Sequence, residues 1–290
     1  MVSREKSIEI NEHLVDTPSG MTIYTIEKKL SNYSPGKAAL LIHGVGIGHI
    51  CWDLNIKDYS LMELLAGEGL DVFAVDLRGY GKSTKPDGLT VTSETCADDL
   101  KAVIDYIKDL RHIERVDIVG HSFGGMVAVC LVGRYPECVR RVVLMGCPYK
   151  VLHPDFQPMV DEMVKLANTG VSYAPNELVF EEYLYSYEQE AVNMHQKLRD
   201  QLYPEWPMGV FLDVATLKNS DYIPSITAPT LLINGALDEV VDPDDAMQCL
   251  NDLGSKEKAL LVVGNAYHCI WLEQIAHRSI YEAVLGWLRS

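Results

Sequence analysis

The chain has 290 residues, of which 48% are apolar and 23% are charged, and its formal net charge is −16. This is the composition of a globular protein with one large domain or two smaller ones, and the negative charge argues against nucleic acid or an anionic membrane as partner. No apolar run approaches the ~20 residues that span a bilayer. The first residues, MVSREKSIEI, lack the apolar segment of a signal peptide, and the seven cysteines include no C-x-x-C pair. We therefore expect a cytoplasmic protein with free thiols.

Short apolar runs alternate with helical patterns along most of the chain. The runs predict strands at 38–42, 71–76, 116–120, 140–146, 228–235 and 258–264. The patterns predict helices at 60–69, 95–110, 126–135, 243–253 and about 273–289. Strand–helix alternation of this kind indicates an α/β fold with a mostly parallel sheet and helices on both faces.

One segment, residues 149–222, breaks this alternation. It contains no predicted strand, it is rich in Tyr and Met, and its stretch 180–203 reads as one or two helices. We interpret it as a helical cap inserted into a core domain made of residues 1–148 and 223–290. Most of its aromatic side chains are expected to hold the cap together, and a few that face a cleft would form an adaptable apolar pocket. The candidates for substrate contact are Tyr183, Tyr187, Trp206 and Met163.

The sequence GHSFGG (120–125) places Ser122 among glycines, directly after a predicted strand and before a predicted buried helix. This is the G-x-S-x-G pattern of a nucleophile elbow, in which a sharp strand-to-helix turn exposes the serine oxygen above the sheet. Glycine at positions 120 and 124 lets strand and helix approach closely. A phosphate-binding loop is the alternative, but no Lys-Ser or Lys-Thr pair follows the glycines and no G-x-G-x-x-G is present.

A serine hydroxyl needs a base to accept its proton and an acid to orient that base. In elbow proteins the acid and the histidine follow the serine in that order along the chain. Asp238 comes just after the predicted strand 228–235, and His268 follows the last predicted strand. Of the nine histidines, only His268 has both the order and the loop position. We therefore predict a Ser122–His268–Asp238 triad.

Four other acidic residues near Asp238 remain alternatives for the acid: Glu239, Asp242, Asp244 and Asp245. Asp244 and Asp245 suit the first turn of the helix predicted at 243–253, and Asp242 suits its N-cap.

A developing oxyanion needs hydrogen-bond donors. One is expected to be the backbone N–H of Phe123, the residue after the nucleophile, and the other that of Val45 in the loop HGVGIGH (43–49). In this interpretation His43 braces the loop by hydrogen bonds, and His121 packs against or supports the elbow.

Together these features resemble the α/β-hydrolase superfamily, in its capped branch of esterases, C–C hydrolases, perhydrolases and epoxide or haloalkane hydrolases. The resemblance is carried by LLIHGVG (40–46), Trp52, VDLRGYGKS (75–83), GHSFGG (120–125), LLINGALDEVV (231–241) and the His268 loop. It implies an eight-stranded, mostly parallel sheet, a cap over the active site at about 149–220, and structural roles for Asp76 and Arg78.

Departures from the pattern of this branch narrow the function. Its epoxide and haloalkane hydrolases use an aspartate nucleophile, whereas this chain has Ser122. The oxyanion loops of its C–C hydrolases usually contain more glycine than HGVGIGH does, and they usually contain a proline, which HGVGIGH lacks. The leading expectation is a serine esterase or lactonase for a bulky, mostly apolar substrate, such as a macrocyclic lactone, with no metal and no organic cofactor. The alternatives are C–C hydrolysis, perhydrolysis or another triad reaction, and a small-molecule receptor with little turnover.

Overall fold

The computed structural model describes residues 7–31 and 36–290 and is built on one large sheet. The sheet has eight strands in the order β1-β2-β4-β3-β5-β6-β9-β10, and a separate ladder pairs β7 with β8. The strands are β1 (Ile8–Asp16), β2 (Thr22–Leu30), β3 (Ala38–Ile42), β4 (Asp71–Val75), β5 (Val116–His121), β6 (Val139–Met145), β7 (Tyr173–Pro175), β8 (Glu205–Pro207), β9 (Thr230–Gly235) and β10 (Lys258–Val263). From β4 to β10 all neighbours in the large sheet are parallel, whereas β1, β2 and β4 pair antiparallel. The predicted fold class is confirmed.

The first two strands were not predicted, because their charged residues hide the strand pattern. Glu27 and Lys28 on β2 are buried, which is unusual for charged side chains. Each is paired: Glu27 with Arg111 and His13, and Lys28 with Asp53 (2.7 Å) and Glu63 (3.0 Å). The partners of these charged residues come close only in the folded chain, so the sequence alone shows the two strands as polar segments.

Helices cover both faces of the large sheet. They are α1 (Leu61–Gly67), α2 (Ser93–Arg111), α3 (Phe123–Arg134), α4 (Gln157–Ala167), α5 (Gln189–Leu202), α6 (Gly209–Val214), α7 (Pro243–Asp252) and α8 (His277–Arg289). Alternate residues of β3 enter separate cores, with Leu40 against α2 and α3 and Leu41 against α1 and α8. This alternation is the period-two pattern of a strand buried on both faces. Within the described ranges, no helix is both long and apolar enough to cross a membrane.

Three helix starts differ from the expected ones by two residues or more, for local reasons. Helix α3 begins at Phe123 rather than at 126, directly after the turn at Ser122. Helix α2 begins at Ser93, because Thr92 and Thr95 form a reciprocal capping box around its first turn. Helix α8 begins at His277 rather than near 273. The carboxylate of Glu273 instead accepts hydrogen bonds from the N–H groups of Tyr185 and Tyr267, so this residue belongs to a loop contact.

The segment 149–222 contains the three helices α4, α5 and α6. It also contains the short antiparallel ladder of β7 and β8, in which Ala174 pairs with Trp206, and the sequence analysis did not predict these strands. The stretch 180–203 forms a 3₁₀ turn at Phe180–Tyr183 and then α5, with extended chain between them. Strands of three residues carry too little periodicity to be recognised from sequence.

Candidate active site

Ser122 lies at the turn between β5 and α3, in a backbone conformation that side chains rarely adopt. Its φ is 53° and its ψ is −121°, which costs on the order of 1–3 kcal/mol for a residue with a side chain. The N–H of Ser122 donates to the carbonyl of Met145 on β6 (2.9 Å), which holds the turn. A Cβ on Gly120 would overlap the carbonyl of Gly124, and one on Gly124 would overlap the end of β3. The glycines therefore permit the close approach that the turn requires.

The structure brings the three predicted triad residues together. The Nε2 atom of His268 lies 2.9 Å from Oγ of Ser122, and its Nδ1 lies 3.0 Å from Oδ2 of Asp238. Asp238 is 2% exposed and also accepts from the N–H groups of Val240 (2.8 Å) and Val241 (2.9 Å). A carboxylate in this position requires the ring to carry its proton on Nδ1, which leaves Nε2 free to accept the serine proton.

The alternative acids have other positions. Asp242 is the N-cap of α7 and accepts from the N–H of Asp244 (2.8 Å), and Glu239 is exposed. Asp245 lies in the first turn of α7, but its buried carboxylate accepts from the N–H groups of residues 149, 150 and 151. It therefore fixes the start of the 149–222 segment, a role that the sequence did not indicate.

His121 lies beneath the loop that carries His268. Its Nε2 lies 3.0 Å from the carbonyl oxygen of His268, so this nitrogen is the donor. Burial lowers the pKa of His121 well below its ordinary value, followed in importance by the nearby His268, and the ring stays neutral. His121 thus supports the His268 loop by a neutral hydrogen bond.

His43 braces the loop that follows β3, as the sequence predicted. The N–H of Leu77 donates to its Nε2 (3.0 Å), so its Nδ1 carries the proton and donates to the carbonyl of Gly44 (2.7 Å). Burial lowers the pKa of His43 to about 4, so the ring is neutral at physiological pH. The carbonyl of Gly44 and the N–H of Val45 belong to one planar trans peptide and point in opposite directions. Holding the carbonyl on His43 therefore fixes the direction of the Val45 N–H.

Val45 and Phe123 both line the pocket beside Ser122. Phe123 is the first residue of α3, so its N–H has no acceptor within the helix and lies at the positive end of the helix dipole. These positions suit the two expected oxyanion donors.

The pocket above Ser122 is apolar. It opens to solvent through a mouth, and the empty space of the pocket and its mouth together is about 660 Å³. Among the described residues that line it, none is Lys, Arg, Asp or Glu. Its wall is built largely from bulky apolar side chains, which include Phe123, Phe156, Leu178, Trp206, Phe211 and Val214.

Two of the four candidates for substrate contact lie in the pocket wall and two lie elsewhere. Tyr183 and Trp206 line the pocket. Tyr187 is 38% exposed, and Met163 packs half-buried on the side of the core that includes α2 and α3. Side-chain direction in an irregular segment depends on the fold of the segment, which composition does not reveal.

Glu273 is a buried residue that sequence reasoning missed. Its carboxylate accepts from the N–H groups of Tyr185 (2.8 Å), Ser186 (2.9 Å) and Tyr267 (2.8 Å), and from the hydroxyl of Ser186. It thereby joins the stretch that carries Tyr183 to the loop that carries His268. Among the described residues, no group of three His, Cys, Asp or Glu side chains could hold a metal ion.

Comparison with known proteins establishes the family. The model of the family described as serine aminopeptidase, S33 matches residues 36–275. The chain belongs to this family. It is therefore a serine hydrolase of the α/β-hydrolase superfamily.

Individual relatives include enzymes of different specificity. The chain is 26% identical over 257 residues to 2-hydroxy-6-oxo-2,4-heptadienoate hydrolase of Pseudomonas putida, covering 86% of this chain and 88% of that protein. It is 34% identical over 121 residues to 2-hydroxymuconate semialdehyde hydrolase of Pseudomonas sp. strain CF600, covering 42% of this chain and 40% of that protein. An esterase from Thermogutta terrifontis shares the fold, with a TM-score of 0.72 at 21% identity, covering 96% of this chain and 98% of that one.

Proposed function

We propose that this protein is a serine esterase that hydrolyses neutral carboxylic esters or lactones with a bulky, largely apolar acyl part. The observation that carries the proposal is the combination of a serine–histidine–aspartate array with a pocket whose described wall has no charged Lys, Arg, Asp or Glu side chain.

The proposed reaction has two acyl-transfer steps. Oγ of Ser122 attacks the carbonyl carbon while Nε2 of His268 takes its proton, and Asp238 stabilises the imidazolium that forms. The N–H groups of Val45 and Phe123 donate to the oxyanion. His268 then gives its proton to the leaving alcohol, and a water molecule activated by the same ring releases the acid and regenerates the serine.

The character of the pocket supports a neutral substrate. A carboxylate moved from water into an apolar wall loses its hydration, and no Lys or Arg in the described wall compensates that loss. The net charge of −16 adds long-range repulsion of anions. An ester carbonyl needs only the two oxyanion donors, and an apolar acyl group gains from burial against the aromatic side chains.

A second candidate function is hydrolysis of a C–C bond by the same array. The observation in its favour is the similarity to the P. putida hydrolase, which covers 86% of this chain. That relative is named for a dienoate, which is a carboxylate. The pocket of this chain offers such a group no described cationic partner.

A substrate panel separates these two functions. The panel contains p-nitrophenyl esters of increasing acyl length, a macrocyclic lactone and 2-hydroxy-6-oxo-2,4-heptadienoate. Each compound is assayed with wild type and with Ser122→Ala. We expect kcat/KM to rise with the size of the apolar acyl group and the dienoate to be a poor substrate. A dienoate turned over faster than every ester, with the activity lost in Ser122→Ala, would contradict the proposal and establish the second candidate.

A further inference from the structure

Residues of the 149–222 segment form hydrogen bonds with the loop that carries the proposed oxyanion donor Val45. The side-chain amide of Asn176 donates to the carbonyl of Gly46 (2.7 Å), one residue beyond Val45. Asn176 is 7% exposed, and the same amide nitrogen donates to the carbonyl of Tyr203 (2.8 Å). Because one planar NH₂ group makes both bonds, the position of Tyr203 is linked to the position of Gly46.

Asn176 is itself held in place by hydrogen bonds to its backbone. Its backbone N–H donates to the carbonyl of Pro204 (2.9 Å). The guanidinium of Arg199 on α5 donates to the carbonyls of Asn176 and Leu178 (2.8 Å to the latter). Because Asn176 is held by these bonds, its amide group fixes the orientation of the Gly46 carbonyl in the loop 44–49.

The side chain of Tyr203 occupies a socket at the other end of the same loop, formed by Gly48, His49, Asp76 and Gly81. Its hydroxyl donates to Oδ1 of Asp76 (2.8 Å) and lies 2.9 Å from Nδ1 of His49, the last residue of the loop. The N–H of His49 also donates to Oδ1 of Asp76 (3.1 Å). Gly48 and Gly81 have φ of 61° and 47°. A Cβ on Gly48 would collide with the Tyr203 ring, and one on Gly81 would collide first with the carboxylate of Asp76 and then with the Tyr203 ring. The core surface is therefore shaped around this side chain.

Asp76 gives the socket a fixed negative charge. Burial is the largest single influence and opposes ionisation, but the neighbouring His49 and His43 and the hydrogen bond from the N–H of Lys82 together outweigh it and lower the pKa of the carboxyl well below its ordinary value. The pKa of Tyr203 is raised well above its ordinary value by burial and then by Asp76, so the hydroxyl keeps its proton and remains a donor.

We infer that Asn176 and Tyr203 are positioning residues for catalysis: acting from the 149–222 segment, they hold the loop 44–49 so that the N–H of Val45 points at the oxyanion. His43 fixes the Val45 peptide from the core side, and Asn176 fixes the chain one residue later from the opposite side. The inference rests on the proposed function, since it needs an acyl-transfer reaction with an oxyanion.

The test compares Tyr203→Phe and Asn176→Ala with wild type, using the best p-nitrophenyl ester of the panel. Tyr149→Phe is the matched control, because this buried tyrosine also donates to a carboxylate, that of Asp252 (2.7 Å), and its hydroxyl makes no hydrogen bond to the loop 44–49 in the described part of the chain. Active sites are counted by end-point fluorophosphonate labelling, so that kcat refers to competent protein. Inhibition by phenylboronic acid, which forms a tetrahedral adduct with an active-site serine, reports on the oxyanion donors.

We expect kcat per labelled site to fall about 10-fold to 100-fold in both variants, less than or comparable with the loss of a whole oxyanion donor, while KM changes by no more than about twofold. The inhibition constant of phenylboronic acid should rise in proportion to the fall in kcat. Tyr149→Phe should leave all three quantities near their wild-type values.

Two outcomes would overturn the inference, and they are distinguishable. If wild type hydrolyses esters and the two variants lose melting temperature but keep kcat per labelled site and boronate affinity, then Asn176 and Tyr203 are only structural. If wild type hydrolyses no ester and takes up no fluorophosphonate, the proposed function itself fails, and the inference fails with it.

Discussion

Asp238 receives three hydrogen bonds, and they explain why its charge and its direction both matter. The N–H groups of Val240 and Val241 both donate to Oδ1, and Oδ2 is the carboxylate oxygen nearer to Nδ1 of His268. The two backbone donors fix the carboxylate plane, and the histidine is fixed in turn. A single residue thus sets the tautomer of the proposed base.

The first prediction concerns this tautomer. In Asp238→Asn, the amide oxygen can keep the two backbone donors, which turns the NH₂ group toward His268. That group needs an acceptor, so Nδ1 loses its proton, Nε2 gains one, and the base can no longer accept the serine proton. We expect kcat to fall by about 10⁴-fold with the fold intact, as measured by ester hydrolysis and circular dichroism.

Asp242→Asn is the matched control, because Asp242 caps α7 and does not contact His268. It should keep near wild-type activity. A large loss of kcat in this variant, with none in Asp238→Asn, would mean that the acid has been assigned wrongly.

At the residue scale, the parts of the site that were predictable are those tied to strand ends. Ser122, Asp238 and His268 each follow a strand that apolar runs made visible, and parallel strands end at one edge of the sheet. Glu273, Asn176 and Tyr203 could not be found in this way. Their partners lie far away in the sequence, and a buried Glu or Asn resembles a surface residue until its donors and acceptors are known.

Helix α5 packs on the core through a face that includes a histidine without partners. His195 is fully buried, and neither ring nitrogen has a hydrogen-bond partner among the described residues. Its ring packs edge-on against Phe180 at 4.3 Å between centroids and lies 4.8 Å from the ring of Trp271. The surroundings of His195 therefore suit an aromatic ring, and the described residues there offer no hydrogen-bond partner to its two nitrogens.

The second prediction is that His195→Phe stabilises the protein, and more so in acid. Burial, and then the charge of Arg199, lower the pKa of His195 to about 3. The unfolded chain takes up a proton on this ring below about pH 6.5, and the folded chain does not, so wild type loses stability as the pH falls from about 6.5 toward 3. The phenyl ring removes this loss, which is about 2 kcal/mol at pH 5 and nearly absent at pH 8.

Urea unfolding of both proteins at pH 5 and pH 8 measures the effect. The difference in unfolding free energy between variant and wild type should be larger at pH 5. An equal difference at both pH values would show that the folded protein does not lower the pKa of His195, and would contradict the prediction.

At the element scale, periodicity predicted the six parallel strands and the main helices, because each is long and uniformly apolar or amphipathic. It did not predict β7 and β8, which have three residues each, or β1 and β2, in which buried ion pairs mask the pattern. The 3₁₀ turn at Phe180–Tyr183 lies in a stretch with helical composition. Local propensity was overridden there by tertiary contacts, such as the bond from the N–H of Cys269 to the carbonyl of Tyr183 (3.2 Å).

In the whole molecule, the 149–222 segment is joined to both loops that flank the proposed nucleophile. Asn176 and Tyr203 attach it to the oxyanion loop, and Glu273 attaches it to the His268 loop. The pocket lies between these attachments, and the segment supplies much of its apolar wall. Substrate binding and the geometry of the reacting groups therefore depend on the same set of contacts.

The proposed mechanism requires Ser122 to be an activated nucleophile, and fluorophosphonate labelling followed by peptide mapping measures that property. We predict one adduct per chain, on Ser122, absent in Ser122→Ala and formed far more slowly in His268→Ala, because the ring of His268 lies in hydrogen-bond contact with Oγ of Ser122 and accepts its proton. A folded wild-type protein that takes up no label, or takes it up on another residue, would show that Ser122 is not an activated nucleophile.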